Sequence, residues 1–338
     1  MSTDVTRPRV AVSRAGLPGS GIELLASRCE VVEWDGAAPP NAAELAELVR
    51  GCDGALVLGT DRVGEDLLDA AGPGMRVVAL ASMGFDAVDQ AAAAERGVVV
   101  THTPHVLAET TADITMSLIL MSRRRLGHAV DSMRRGEWRI FQMDGFLGLD
   151  VYGATLGLVG YGQIARAVAR RAAGFGMRIQ HHDPYQSADD DLSAAVTLPE
   201  LLRTSDVVSL HVPLTPDTIN LISTAELALM KPTATLVNTA RGGIVDESAL
   251  LAALRSGRLH SAGLDVMVDE PRSEPTDPLF AEPNLVVLPH VGSATEATRA
   301  AMVDLAARNV LSVLDGREGL TPLPGTSAVP ALRSAAVS

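Results

Sequence analysis

From Arg9 onward, short aliphatic runs alternate with stretches whose apolar residues recur every three or four positions. Residues 10–12, 31–32, 55–58, 77–80 and 98–100 read as strands. The clearest helical pattern between them is 42–50, where Leu45, Leu48 and Val49 form a stripe and Gly51 supplies the stop. Such β/α alternation predicts a parallel sheet covered by helices. Residues 107–124 carry Ile114, Leu118, Ile119, Leu120 and Met121 around most of a helical circumference, which predicts a deeply buried helix. The stretch 136–152 loses periodicity, carries Trp138, Phe141 and Phe146, and reads as an extended arm. A second β/α series follows at 155–159, 178–182, 207–211, 235–238, 263–266 and 285–288, and six strands make a complete doubly wound sheet. A last helix at 296–314 leads into a Pro/Gly-bearing segment, 320–325. Residues 326–338 are small and polar enough to be disordered.

Composition narrows the classes. A chain of 338 residues exceeds the usual single core, so two domains are expected. Twenty-eight basic against 41 acidic side chains leave a formal charge of -13, which repels nucleic acid and anionic membrane surfaces. No run approaches the roughly eighteen apolar residues of a membrane span, and no signal-type apolar region follows the polar start. A soluble, unprocessed chain is expected. Cys29 and Cys52 lack a CxxC spacing or a zinc set, which points to no metal and to a reducing cytoplasm.

Gly160-Tyr-Gly162-Gln163-Ile164-Ala165 stands after the strand 155–159 and before a helix bearing Ile164, Val168, Ala169, Ala172 and Phe175. Gly160 permits a tight turn, Gly162 lets the backbone approach a pyrophosphate, and the helix N-terminus offers free N–H groups. Ala165 takes the third, packing position, which the fingerprint allows. Eighteen residues beyond it, at the end of the next strand, Asp183 can accept hydrogen bonds from ribose hydroxyls and would repel a 2′-phosphate. No arginine follows immediately in Pro184-Tyr-Gln-Ser187, so NAD is favoured over NADP. A second cluster, Gly16-Leu-Pro-Gly19-Ser-Gly21 with Glu33 beyond it, has the wrong spacing, and Pro18 removes an N–H; it reads as a plain loop.

Three polar residues close later strands: Arg241 after Asn238, Glu270 after the 263–266 run, and His290 after Leu288-Pro289. Ligands bind at strand C-termini in open α/β sheets. A histidine can give and take a proton near neutrality, and a carboxylate on its other nitrogen fixes the ring and raises its pKa. Arginine offers a planar fork for a carboxylate or keto oxygen. Singly, each has a plainer role: a loop histidine, a surface acid, an arginine paired with Asp246. Of the remaining candidates, His102 and His105 are separated by Pro104, and His181 and His182 point to opposite faces of a strand. Arg123, Arg124 and Arg125 read as a solvated helix cap, and Ser13, Ser82 and Ser293 lack a nucleophile-elbow context.

The chain resembles the D-isomer-specific 2-hydroxyacid dehydrogenase family, and within it the glyoxylate/hydroxypyruvate reductase branch, over nearly its whole length. The resemblance rests on Ser82-Met-Gly-Phe-Asp86, Glu109-Thr-Thr-Ala-Asp113, Tyr152 to Gly160, His211-Val-Pro-Leu-Thr215, Asn238 to Asp246, Gly263-Leu-Asp-Val266 and Pro289-His-Val-Gly-Ser293. It implies α/β architecture, with a Rossmann cofactor domain (103–292) inserted into a flavodoxin-like substrate domain (1–102 and 293–325) and the active site in their cleft. It implies Arg241, Glu270 and His290 as catalytic residues, with His290 the acid/base. Asp265 and the backbone at Thr239 and Ala240 are implied to hold the nicotinamide, and His211, Pro213 and Thr218 to border the adenine. Gln163, Ile164 and Gly292 complete the implied coenzyme contacts, and the backbone around Met83 and Gly84 is implied to hold a substrate carboxylate beside Arg241 and His290. The expected activity is NADH-dependent reduction of a small 2-oxo acid to the D-2-hydroxy acid by a cytoplasmic homodimer. Alternatives are a dehydrogenase for phosphite, phosphoglycerate or another small anion, or an NAD-sensing corepressor-like protein; Glu270 counts against the formate branch, which has glutamine there. Met83 replaces a residue usually small and aliphatic in this branch, which bears on substrate size. The counterpart of the 136–152 arm helps shape a neighbouring subunit's site, so Trp138 reads either as doing so or as a dimer-interface anchor.

Overall fold

The computed structural model describes residues 7–186 and 188–326. It is an α/β protein with two parallel sheets. The chain divides into two compact units, one running to Leu107 and taken up again from Ala294, the other spanning Ala108–Ser293.

In the first unit the strands are β1 (Arg9–Val12), β2 (Glu30–Glu33), β3 (Gly54–Val57), β4 (Val77–Leu80) and β5 (Val99–Thr101), in the order β2-β1-β3-β4-β5. That is the flavodoxin-like order. Successive residues of the aliphatic runs feed opposite faces, which is why they are continuous rather than alternating. Val10, Val12, Leu56, Val77 and Ala79 pack on Val303, Ala306 and Val310 of the helix Glu296–Leu314. Ala11, Ala55, Val57, Val78 and Leu80 pack on Leu45, Leu67, Leu68 and Ala92 on the other side. The helix expected at 42–50 spans Ala42–Leu48, started by a capping box between Asn41 and Glu44. The second glycine cluster has a packing cause: a Cβ on Gly21 would lie 2.7 Å from the Val303 carbonyl oxygen. Thr326, counted with the tail, is buried and its hydroxyl accepts from the Val100 N–H at 3.2 Å; residues 327–338 lie outside the described residues.

The second unit contains β6 (Thr155–Val159), β7 (Arg178–His182), β8 (Ala194–Ala195), β9 (Val207–Leu210), β10 (Thr235–Asn238), β11 (Ser261–Leu264) and β12 (Leu285–Val287), in the order β12-β11-β10-β9-β6-β7-β8. This is the Rossmann order with a further strand, so the expected count of six is corrected to seven among the described residues. The missed strand β8 is two alanines at the sheet edge, with no aliphatic run to reveal it. β11 begins two residues before expectation because Ser261, hydroxyl-bonded to Thr235 at 3.0 Å, is a buried polar strand residue.

The helix Ala108–Arg123 lies over β10 and β11, burying Ala112, Met116, Leu118 and Ile119. The arginines at its end are not all a solvated cap. Arg123 is buried, and its guanidinium donates to the carbonyls of Asp150 (2.6 Å), Asp206 (2.9 Å) and Thr233 (3.2 Å). Arg125 adopts a left-handed φ of 52° and a new helix, Leu126–Arg134, begins. It was not foreseen. Beyond it, residues 136–152 form neither helix nor strand.

Candidate active site

The C-terminal edge of the second sheet gathers most of the sequence-predicted residues. Gly160 ends β6 with φ +85°, and a Cβ there would lie 2.7 Å from the His211 carbonyl oxygen, so the turn needs glycine. Gly162 is the N-cap of the helix Gln163–Gly174, which has no side-chain cap. A Cβ on Gly162 would meet nothing within 4 Å, so its bare face leaves the helix mouth open rather than relieving a clash. Gln163 is exposed, Ile164 packs partly into the core, and Ala165 is fully buried with room for its methyl. Asp183, at the end of β7, accepts the N–H groups of Tyr161 and Tyr185, each at 2.8 Å. Each oxygen retains capacity for another donor. An open glycine step, an uncapped helix start and a carboxylate at the neighbouring strand end fit a dinucleotide.

Further along the same edge, His211 meets the Ser209 hydroxyl at 2.9 Å. Desolvation pushes its pKa down to about 3, although part of the residue reaches the surface. The Thr218 hydroxyl donates to Pro213 O (2.6 Å) and accepts from the Thr215 N–H (2.8 Å), which fixes the loop after β9.

Arg241, Glu270 and His290 follow β10, β11 and β12. Asn238 shapes the first loop, donating its amide to Arg241 O (2.8 Å) and accepting from the Ala240 N–H (3.0 Å). The Arg241 side chain donates to Ala240 O at 2.7 Å. Gly242 is required by close approach: a Cβ there would lie 1.9 Å from the Met267 carbonyl carbon, in the chain leading to Glu270. Glu270 Oε1 accepts the Met267 N–H at 2.6 Å, and Oε2 meets His290 Nδ1 at 2.6 Å. Burial would raise the Glu270 pKa, but the His290 and Met267 hydrogen bonds and nearby Arg241 outweigh it and hold the group below its ordinary value. A carboxylate only accepts, so Nδ1 carries a proton and Nε2 faces away from Glu270.

The histidine loop is held from below. His290 sits at φ +54°, its N–H bonded to Asp265 O at 2.9 Å. Both Asp265 carboxylate oxygens are engaged, by Val291 N–H (2.8 Å) and Gly292 N–H (2.7 Å), and burial raises its pKa against the pull of those amides. Thr111 donates to Gly292 O at 3.3 Å, and Thr115 meets the buried Thr239 hydroxyl at 2.9 Å. These two threonines went unnoticed as site residues. The signal was Glu109-Thr-Thr-Ala-Asp113, noted above only as a motif.

In the first unit, Met83 and Gly84 follow β4. Met83 is half-buried, His102 Nδ1 donates to its carbonyl at 2.8 Å, and the Ser82 hydroxyl donates to Gly84 O at 2.6 Å. The His102 ring is thus part of the loop's own scaffold.

Residues 116–292 match the family model for the D-isomer specific 2-hydroxyacid dehydrogenase NAD binding domain. Glyoxylate reductase of Korarchaeum cryptofilum is 42% identical over 314 residues, 92% of this chain and 94% of that protein. The chain belongs to this family. Glyoxylate reductase of Thermococcus kodakarensis is 43% identical over 317 residues, again 92% of this chain and 94% of that protein, and the chain falls in the glyoxylate reductase branch. Among solved structures, the TT0316 protein of Thermus thermophilus is 46% identical with a TM-score of 0.87, covering 93% of this chain and 99% of that one. An NADPH-dependent glyoxylate/hydroxypyruvate reductase of Sinorhizobium meliloti, in complex with NADP and malonate, is 34% identical with a TM-score of 0.82, covering 96% and 99%. Family membership makes the protein an oxidoreductase with a nicotinamide cofactor.

Proposed function

We propose that the protein reduces a small 2-oxo acid of the glyoxylate or hydroxypyruvate kind to the D-2-hydroxy acid, using NADH. The observation that carries this is the Glu270–His290 hydrogen bond of 2.6 Å, set on loops whose neighbour presents Arg241. The 160–183 edge would hold the pyrophosphate and ribose of the coenzyme and Thr239, Ala240 and Asp265 its nicotinamide, which would supply hydride to the carbonyl carbon. His290 delivers the proton from Nε2 to the carbonyl oxygen while Glu270, ionised, stabilises the positive ring through Nδ1. The Arg241 fork receives the substrate carboxylate and draws charge toward the carbonyl oxygen. Asp265 holds the Val291 and Gly292 amides and so fixes the histidine loop. Asp183, an acid at the ribose position, supports NADH over NADPH.

The exposed apolar side chains of the 136–152 arm support a homodimer, and the buried free thiols of Cys29 and Cys52 suit a reducing cytoplasm. An NADH-oxidation assay with glyoxylate, hydroxypyruvate and pyruvate, run beside an NAD+-reduction assay with phosphoglycerate and phosphite, tests the activity. The expected result is turnover with glyoxylate or hydroxypyruvate; failure with every 2-oxo acid while NADH still binds would overturn it.

A further inference from the structure

The loop after β7 and the helix that follows Gly162 carry charges beyond Asp183. Arg166 stands in the second turn of the helix that begins after Gly162. Its guanidinium carbon lies 4.4 Å from the centre of the Tyr161 ring, and the Tyr161 N–H is bonded to Asp183. One residue therefore separates this cation from the acid at the ribose position. Arg166 also donates from Nη2 to Gln186 Oε1 and from Nη1 to Asp190 Oδ2, both at 2.9 Å. The Asp190 carboxylate is itself fixed, its other oxygen accepting the N–H groups of Leu192 and Ser193 at 2.9 Å.

Buried His181 anchors the same loop. It stacks on Tyr161 with ring centres 4.0 Å apart and planes 13° from parallel. Its Nε2 donates to Gln186 O at 2.9 Å, since a carbonyl can only accept, and its Nδ1 meets the Ser193 hydroxyl at 2.8 Å. Gln186 and Ser193 are thus tied to one buried ring, and Asp190 is presented to Arg166 by a braced loop rather than by a chance surface pairing. The two charged side chains remain about a third exposed, 39% and 32%, so the pair is partly screened and open to competition from another anion.

We propose that Asp190 is a second determinant of coenzyme choice, holding Arg166 out of service as a 2′-phosphate ligand. This rests on residues 160–183 being the dinucleotide site. Asp183 and Asp190 outnumber Arg166, and Asp189 and Asp191 flank Asp190, so the ribose end is net negative, which suits two hydroxyls and repels a phosphate dianion. Asp190→Asn lowers that excess by one charge while keeping an amide oxygen for Leu192 and Ser193, and turns an NH2 toward the guanidinium. Arg166 then has reason to leave.

The test is a titration of the full-length protein with NADPH and NADH by nucleotide fluorescence, together with steady-state kinetics in both. In Asp190→Asn the preference moves toward NADPH by about ten-fold, through the KM for NADPH rather than kcat, and adding Arg166→Ala abolishes the gain. Asp190→Ser, whose hydroxyl can still accept one loop amide, is measured in parallel and shifts the same way. A preference within two-fold of wild type in both variants while NADH still binds overturns the proposal, as does a gain that survives Arg166→Ala. Failure of the wild-type protein to bind either nucleotide strikes the dinucleotide site itself, a distinct result.

Discussion

The chemistry at residue scale turns on one proton held between two side chains. Glu270 has its pKa lowered, so it is charged at neutral pH, and the energy it lends the imidazolium is present above its ordinary value and lost as pH falls through the lowered one. On the proposed mechanism His290 gives the proton in reduction and takes it in oxidation, so reduction should fade as pH rises and oxidation of the hydroxy acid as pH falls. In Glu270→Gln the hydrogen bond survives without the charge, so both limbs should move to lower pH, because the opposite charge beside the ring is gone. His290→Ala should lower kcat by roughly 10²–10⁴-fold, the scale of a lost general acid. Stopped-flow pH profiles with chemistry rate-limiting check both, and limbs that stay in place in Glu270→Gln would refute the pairing. At this scale the sequence was legible where chemistry comes with a fixed spacing: Gly160, Gly162 and Asp183 announce themselves by register with strand and helix. Thr111, Thr115 and Asn238 do not. Hydroxyls and amides occur in any helix or strand end, and only folding shows which backbone group each one meets.

Elements were legible in proportion to the apolar surface they bury. The aliphatic runs of β3, β4 and β9 are buried throughout and fall where the pattern puts them. Strand β8 buries little and leaves no mark, and the helix Leu126–Arg134 keeps Leu126, Val130 and Met133 exposed, so its stripe has no core to face. The arginine run shows the converse error. A cation at a helix end suggests solvent and dipole, yet Arg123 is turned inward to gather carbonyls from three separate segments, and burial lowers its pKa despite nearby Asp206. Its value lies in tying three segments together through one charged fork, the Asp206 carbonyl also taking the Thr235 N–H at 3.0 Å. Arg123→Met, close in length, should destabilise the second unit by about 3 kcal/mol, because charged hydrogen bonds are worth roughly 1.5–3 kcal/mol each and three are lost, with water or Thr235 recovering part of the difference. Arg123→Lys should recover only part of this, since an ammonium does not reproduce the planar fork. Urea unfolding followed by circular dichroism measures the difference, and a loss below about 1 kcal/mol in Arg123→Met would show that water replaces the guanidinium.

At the scale of the whole molecule the informative feature is apolar surface left outside. Trp138 is 55% exposed, Phe141 75% and Met143 83%, with Ile140 and Leu147 also open. Single exposed apolar residues are ordinary, but a run of them along one arm marks an interaction surface. A second copy of the chain is the occupant proposed for it above. Two-fold symmetry then sets the size of the expected effect. In an isologous dimer every substitution occurs twice, and an aromatic anchor costs about 2 kcal/mol or more when removed. Replacing Phe141 by aspartate should therefore weaken association by about 4 kcal/mol, roughly a thousand-fold. Sedimentation of wild type at tens of micromolar should give the mass of two chains, and Phe141→Asp should give one chain with unchanged circular dichroism. Loss of the dimer with retained NADH binding but lost turnover would place part of the arm in a neighbouring site, whereas retained turnover would make Trp138 and Phe141 anchors alone. A monomeric wild type would remove the arm from any role in self-association and leave its exposed rings to another partner.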